Sequence, residues 1–388
     1  MNELVTPAEA TGRILSNLPV TAIESVQLAH ALGRVLRSSI FADRALPPYR
    51  RATMDGIAFR GRAPSFRIAG LHAAGDAPPR ALEIGEAWEI MTGAIVPEDC
   101  DTLMPYEEVA ILGGIATLQG DATTGQFIHE VGVDAAAGSL LVPQGFLLGS
   151  AEIAIAASVG LVELPVSKHP VITILTTGDE AVPVNSTPQP WQIRRSNGPM
   201  LESILRRLGH AEIHHHHVPD DIQLLEHAVD AVLLTSDLIL LCGGISKGKR
   251  DHVREVIEAR LGLPAFHGVF QRPGKPLAFW NGPPPVFALP GNPVSVLATY
   301  TRYVRPALLA MQGATPPSPL LLPLASPTES LPKLTWLLPA RIVNGQAEPL
   351  PPRNSGDFVS IAGATHLLEI PPARGTLSPG ALVTAHSL

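Results

Sequence analysis

Cysteine is nearly absent from this chain: two residues in 388, Cys100 and Cys242. A disulfide framework or a four-cysteine zinc site is therefore excluded. Long apolar runs are missing too, since segments such as 153–157 and 238–242 fall far short of the roughly 18 residues that span a bilayer. The opening Met1-Asn2-Glu3 lacks a basic stretch followed by an apolar core, so no signal peptide is expected. Together these absences predict a soluble, cytoplasmic protein with no membrane partner. An excess of base is also lacking. The 28 Lys and Arg against 35 Asp and Glu give a formal net charge of −7, which disfavours nucleic acid as a partner.

Apolar residue is plentiful. Hydrophobic residues make up 45% and charged ones 16%, enough to fill a core and to exclude disorder as the dominant state. The length suggests about two to four domains. The 39 prolines and 34 glycines stay together below the roughly 25–30% that marks low-complexity chains. They are read as turns between short strands.

The texture changes along the chain. Thr6-Pro7-Ala8-Glu9 reads as a capping box with proline at the first helical position. A second helix is expected over 27–36, with Leu28, Leu32 and Val35 on one face. From about 46 to 138 the apolar runs are short and punctuated by glycine and proline, a β texture; Gly113-Gly114 between two such runs signals a hairpin. Helical periodicity returns at 151–160, so a mainly helical part is read as interrupted by a β-rich insertion. From His169 onward, strands alternate with helices: strands at 171–175, 211–218, 238–242 and 286–289, helices at 197–208, 222–234, from about 251, and from 293 to 311. This predicts a parallel sheet covered by helices, with ligands outside the carboxyl ends of its strands. Ser196 is expected to cap the first of those helices. The segment 313–332 reads as a proline-rich linker, and the last 55 or so residues as a small β domain.

Three strand ends in the alternating region carry glycine loops: Thr177-Gly178-Asp179-Glu180, Gly243-Gly244-Ile245-Ser246-Lys247-Gly248 and Pro290-Gly291-Asn292-Pro293. Glycine lets backbone amides approach an anion, and a following helix N-terminus adds its dipole. None fits the Walker A or dinucleotide fingerprints. Lys247, Lys249, Arg250, Arg272 and Lys275 cluster near these loops, the last two flanking Pro273-Gly274. Five cations on an acidic chain suit an anionic ligand; a solvated basic face is the alternative. Asp179, Glu180, Asp220, Asp221 and Asp251 are placed to hold a divalent cation, with helix capping as the alternative at Asp220 and Asp251. The run His214–His217 lies in an expected strand, where neighbouring side chains point to opposite faces and cannot converge on one ion. Cys242 reads as core.

In order along the chain stand Leu46-Pro47-Pro48-Tyr49, Thr53-Met54-Asp55-Gly56-Ile57-Ala58, Met91-Thr92-Gly93-Ala94 with Pro97 and Asp101, and Thr177-Gly178-Asp179-Glu180. Ser196-Asn197-Gly198, the Gly243–Gly248 string with Asp251, Pro273-Gly274-Lys275-Pro276, Leu289-Pro290-Gly291-Asn292-Pro293-Val294-Ser295 and Asn354-Ser355-Gly356-Asp357 follow. As an ordered series this resembles the molybdopterin molybdenumtransferase family, the MoeA-like proteins and the corresponding E domain of gephyrin. The resemblance implies a multidomain α/β plus β fold. A three-layer α/β/α molybdopterin-binding domain would occupy 169–312, and a discontinuous, mainly helical linker and dimerisation domain 1–44 and 139–168. A β-rich insertion would take 45–138 and a small C-terminal β domain 313–388.

It also implies a transferase that inserts molybdate into adenylated molybdopterin, releases AMP and uses Mg2+. A homodimer is implied, its cleft lying between the α/β domain of one subunit and the β-rich domain of the other. A molybdopterin adenylyltransferase and recipient molybdoenzymes are the implied protein partners. On this reading Asp55, Thr92, Glu180, Asp220, Asp251 and Lys275 are catalytic, with the metal on Glu180, Asp220 and Asp251. Thr177, Gly178, Asp179, Gly243, Gly244, Ser246, Lys247, Gly248, Arg272, Pro273, Gly274, Pro290, Gly291, Asn292 and Pro293 hold the substrate, and Ser355 helps receive molybdate. Arg50, Arg51, Ile57, Ala181 and Arg272 depart from the commonest family pattern. Two other readings are a non-catalytic molybdopterin-binding scaffold and another Mg-dependent nucleotide-processing enzyme.

Overall fold

A computed structural model describes residues 4–245 and 252–388. Its backbone contacts divide the chain into two compact units, one of residues 1–37, 145–148 and 164–388, the other of 38–144 and 149–163. No helix among the described residues is long and apolar enough to cross a membrane.

The larger unit begins with helix α1, Pro7–Leu15. The Thr6 side chain accepts from the Glu9 amide and the Glu9 carboxylate reaches back to the Thr6 amide, the expected capping box. The expected helix over 27–36 does not form. Ile23–Gln27 is a strand, Leu28–His30 a single 3-10 turn, and Gly33 takes a positive φ of 75° that ends any helical run. Leu32, placed on the apolar face of that helix, is 62% exposed.

The centre of this unit is a six-stranded sheet. Its order is Ile213–Val218, Ile172–Thr177, Leu238–Cys242, Val286–Leu289, Ala278–Trp280, Phe266–His267. The first four strands run parallel, as the sequence pattern predicts; the last two are antiparallel additions that the pattern did not signal. Apolar residues alternate between both faces. Ile172, Ile174, Leu238 and Leu240 pack against Leu201 and Leu205 of α3 (Asn197–Arg207), while Leu175, Ile239 and Leu241 pack against Leu225, Val229 and Val232 of α4 (Ile222–Thr235) and Val256 and Ile257 of α5 (Val253–Leu261). Burial on both faces is why these strands read as continuous apolar runs. The chain then runs through α6 (Pro293–Thr299), a π-helical turn and α7 (Arg305–Met311).

The expected linker over 313–332 contains two strands. Leu320–Pro323 pairs with Leu382–Ser387 and Thr328–Glu329 with Thr376–Leu377, partners about sixty and fifty residues away, which a local pattern cannot reveal. The C-terminal sheet also takes in Gln271–Arg272, parallel to Thr335–Val343, with Arg272 opposite Trp336.

The smaller unit carries helix α2 (Ser150–Ser158) and a six-stranded sheet ordered Thr102–Pro105, Gly56–Phe59, Glu86–Ile90, Ser65–His72, Ile115–Leu118, Val109–Leu112. The predicted hairpin is there: Val109–Leu112 and Ile115–Leu118 pair antiparallel around Gly113-Gly114. Ala58, Ile90 and Leu103 fill one face of the sheet, Ile57, Phe59, Ala87 and Met104 the other.

Candidate active site

The strand Ile172–Thr177 is followed by a strand on one side of it and then by one on the other, so the chain reverses direction across the sheet there. Such reversal opens a crevice at the carboxyl ends. A cavity of about 450 Å³ lies at that point, lined by Thr176, Thr177 and Gly178, by Gly243 and Gly244, and by Pro290, Gly291, Asn292 and Pro293. The three expected glycine loops thus converge in one cavity, as far as they are described; Ser246, Lys247, Gly248, Lys249, Arg250 and Asp251 lie outside the described residues.

Glu180 and Asp220 both line this cavity. Gly178 must be glycine here: its φ is 127°, and a Cβ would meet the two Glu180 carboxylate oxygens at 2.7 and 2.8 Å. The Glu180 carboxylate therefore lies folded over its own loop. At the next strand end the labour of two adjacent acids is divided. Asp221 caps α4, its carboxylate accepting from the Gln223 and Leu224 amides at 2.9 and 3.0 Å, which leaves Asp220 for the cavity. Asp179, expected to contact ligand, does not line the cavity. Its carboxylate accepts from the Asp220 amide at 3.1 Å, and the Asp220 carboxylate receives the Asp179 amide at 3.5 Å. These reciprocal bonds clasp the two strand ends together.

A second cavity, about 420 Å³, shares Pro276, Pro290 and Asn292 with the first. Arg272, Pro273, Gly274 and Lys275 line one side and Asn354 and Ser355 the other. The pairing of Gln271–Arg272 with the C-terminal sheet brings these segments to one place. The Asn292 side chain donates to Ser355 Oγ at 2.7 Å, joining the third glycine loop to the C-terminal motif. Asp357 braces that motif from beneath, accepting from the Ser360 hydroxyl and the Arg353 amide, which hold its pKa below the ordinary value. Arg272 and Lys275 are both exposed, and no carboxylate among the described residues pairs with either. An oxyanion would suit them.

In the smaller unit, Gly56 pairs antiparallel with Ile90, so Asp55 falls opposite the segment carrying Thr92. The Thr92 amide and hydroxyl both donate to one Asp55 oxygen, at 2.6 and 2.7 Å. Arg50 and Arg51, two of the departures from the family pattern, have structural partners there. Arg50 donates to the Pro97 and Cys100 carbonyls and pairs with Glu130, and Arg51 meets His129.

Among the residues of the first cavity that carry no role on the sequence reading are Arg194, Arg195, Asn197 and His217. Asn197 belongs to the Ser196-Asn197-Gly198 motif, and the two arginines lie in a segment that follows no strand of the main sheet. His217 ends the four-histidine run, whose alternation keeps its side chains from converging on one ion. The run does alternate, with His214 and His216 exposed and His215 and His217 turned inward, where His217 Nδ1 lies 2.9 Å from the Thr176 hydroxyl. Burial lowers the pKa of both inward rings. Cys242 is buried core and its thiol is pushed up to about 12, which keeps it protonated and inert. Ser196 occupies the N-cap of α3 but makes no capping bond, contrary to expectation.

Glu180 and Asp220 offer hard oxygen donors in this cavity, chemistry that suits Mg2+. Among the described residues no three His, Cys, Asp or Glu side chains cluster as a complete metal site, and the third expected ligand, Asp251, lies outside them.

Comparison with known proteins agrees with this architecture. Residues 5–160 match the MoeA N-terminal region (domain I and II), residues 173–310 a probable molybdopterin binding domain, and residues 322–388 the MoeA C-terminal region (domain IV). The molybdopterin molybdenumtransferase of Synechocystis sp. is 32% identical over 97% of this chain and 98% of its own length. That of Synechococcus elongatus is 34% identical over 96% of each. The crystal structure of the molybdopterin biosynthesis moea protein from Pyrococcus horikosii superposes with a TM-score of 0.76 at 29% identity, covering 99% of both chains. With the glycine loops, the paired cavities and these matches in agreement, the chain belongs to the molybdopterin molybdenumtransferase family.

Proposed function

We propose that this protein inserts molybdate into adenylated molybdopterin and releases AMP. The observation that carries this reading is the adjacency of two cavities with complementary chemistry. One has amide-rich glycine loops and two carboxylates; the other has unpaired cations and a serine, with Asn292 on the partition between them. A substrate with a pyrophosphate at one end and a dithiolene awaiting an oxyanion at the other matches that division.

On this reading the first cavity takes the phosphates. Thr177, Gly178, Gly243 and Gly244 line their path, and Glu180 and Asp220 with Asp251 would hold Mg2+ and orient the attacking water. Bound there, Mg2+ would neutralise charge on the leaving phosphate. Arg272, Lys275 and Ser355 receive molybdate beside the dithiolene, and the role of binding the nucleotide phosphates falls to Lys247. Asp179 acts through its clasp on Asp220. Asp55 and Thr92 complete the cleft from a second copy of the chain, in a homodimer built of the four domains outlined from the sequence. The adenylated substrate would come from a molybdopterin adenylyltransferase and the product would pass to recipient molybdoenzymes, all in the cytoplasm.

The test is AMP release coupled to molybdate insertion, assayed with the purified full chain, Mg2+ and adenylated molybdopterin. Glu180→Ala should reduce turnover by about 10² or more while the chain stays folded. Intact substrate after incubation with the unmodified protein would sink the transferase reading and favour a binding scaffold.

A further inference from the structure

Arg195 lies on the wall of the carboxylate-bearing cavity, immediately before α3. The side chain is half-buried, and burial alone lowers its guanidinium pKa. Its Nε donates to the Ala181 carbonyl at 3.0 Å, and no carboxylate among the described residues pairs with it. Of the cavity's described acids, neither Glu180 nor Asp220 pairs with it. The groups that feel its charge are His215 and His217 on the strand Ile213–Val218, both with pKa values depressed chiefly by burial. A half-buried cation with no carboxylate partner among the described residues favours an anionic ligand. The two terminal nitrogens of the guanidinium remain as a planar fork, the geometry that grips phosphate with two hydrogen bonds.

Two residues further on, Asn197 carries an independent sign of a ligand. Its amide nitrogen donates to the Gly291 carbonyl at 2.6 Å, which fixes the side chain, while its Oδ1 is buried with no hydrogen-bond partner. Buried acceptors of this kind are seldom left unpaired. Between them Ser196 provides no side-chain cap, so the first amides of α3 are also without a side-chain acceptor. One short strip thus offers a cation with no carboxylate partner among the described residues, a helix start without a side-chain cap and an orphaned acceptor. A ligand that satisfies all three carries both an anionic group and a hydrogen-bond donor.

We propose that Arg195 is the residue that grips a phosphate of the substrate's nucleotide half, with Asn197 Oδ1 accepting an N–H from the attached amino-heterocycle. The identity of that ligand rests on the transferase reading; the anion preference of the strip does not.

The experiment is calorimetric titration of the full chain and of Arg195→Ala and Arg195→Lys with AMP and with adenosine. The unmodified protein should bind AMP about tenfold or more tightly than adenosine, and Arg195→Ala should lose roughly 10–100-fold on AMP while adenosine binding is unchanged. Arg195→Lys should recover part of the loss, since a point charge replaces a fork. Without ligand, Arg195→Ala should stay folded, since the side chain is only half-buried and gives up one hydrogen bond, to the Ala181 carbonyl. No preference for AMP in the unmodified protein, undiminished AMP binding in Arg195→Ala, or equal losses on both probes would each overturn the assignment. Should the AMP preference depend on Arg195 while molybdate insertion is absent, the transferase reading fails and the phosphate grip stands. Should insertion proceed with AMP binding indifferent to Arg195, the reverse holds.

Discussion

Asp55 sits at the surface of the smaller unit with one carboxylate oxygen held by both donors of Thr92. The Thr92 amide is the larger cause, and its hydroxyl the second, of a pKa held below the ordinary 3.8. The sign follows directly. A carboxyl whose folded pKa is depressed stabilises the fold above its ordinary value, and that contribution is lost as pH falls through the depressed folded value. Because the group is fully exposed, the consequence to read is titration rather than stability. Thr92→Ala keeps the amide donor and removes the hydroxyl, so the Asp55 carboxyl should titrate at higher pH than in the unmodified protein without reaching 3.8. Site-resolved NMR titration checks this; an unchanged midpoint would mean the hydroxyl contributes nothing. If Asp55 serves the reaction as an ionised group, the acid limb of the pH–rate profile should move upward in the same variant.

Among the elements, the junction of α3 with the strand Ile213–Val218 shows what local sequence cannot announce. Gly198, in the first turn of α3, has ordinary helical geometry, yet a Cβ on it would fall within the His215 ring. Gly198→Ala should therefore destabilise the protein by about 1–3 kcal/mol, an overpacking cost. Combining it with His215→Ala should cost less than the sum of the two single changes, since the second removes the obstacle. Additive losses in denaturant unfolding would show that the glycine is required for some other reason. Much of the element plan was legible: the capping box at Thr6, the Gly113-Gly114 hairpin and the four parallel strands all come from short-range pattern. What stayed hidden depended on distant partners. The strands at Leu320–Pro323 and Thr328–Glu329 are defined by the last residues of the chain, and Gln271–Arg272 by a strand more than sixty residues on. The same holds within the site. The adjacent acids Asp220 and Asp221 are indistinguishable as a string, and only the start of α4 decides which one caps and which one faces the cavity. The strip at Arg195 belongs to no strand of the main sheet, so a search of sheet ends passes over it.

At the scale of the whole molecule, the motifs fall into two groups that no single unit contains. The glycine loops, Glu180, Asp220, Lys275 and Ser355 belong to the larger unit, and Asp55 and Thr92 to the smaller. The homodimer proposed above assigns each catalytic cleft one group from each of two copies, and this has a consequence that a site within one chain does not share. Asp55→Ala and Glu180→Ala should each be inactive as homodimers, for every cleft then lacks one member. Mixed and allowed to exchange subunits, the two variants form hybrid dimers. In each hybrid one cleft carries both lesions and the other carries neither. With equal amounts and random exchange, half of the dimers are hybrids and half of their clefts are intact, so activity should return to about a quarter of the unmodified level. A cleft completed within one chain gives no such rescue, because every chain in the mixture carries a lesion. Light scattering supplies the control: a particle of one chain at micromolar concentration removes the basis for exchange, and a dimer without recovered AMP release moves Asp55 out of the shared cleft.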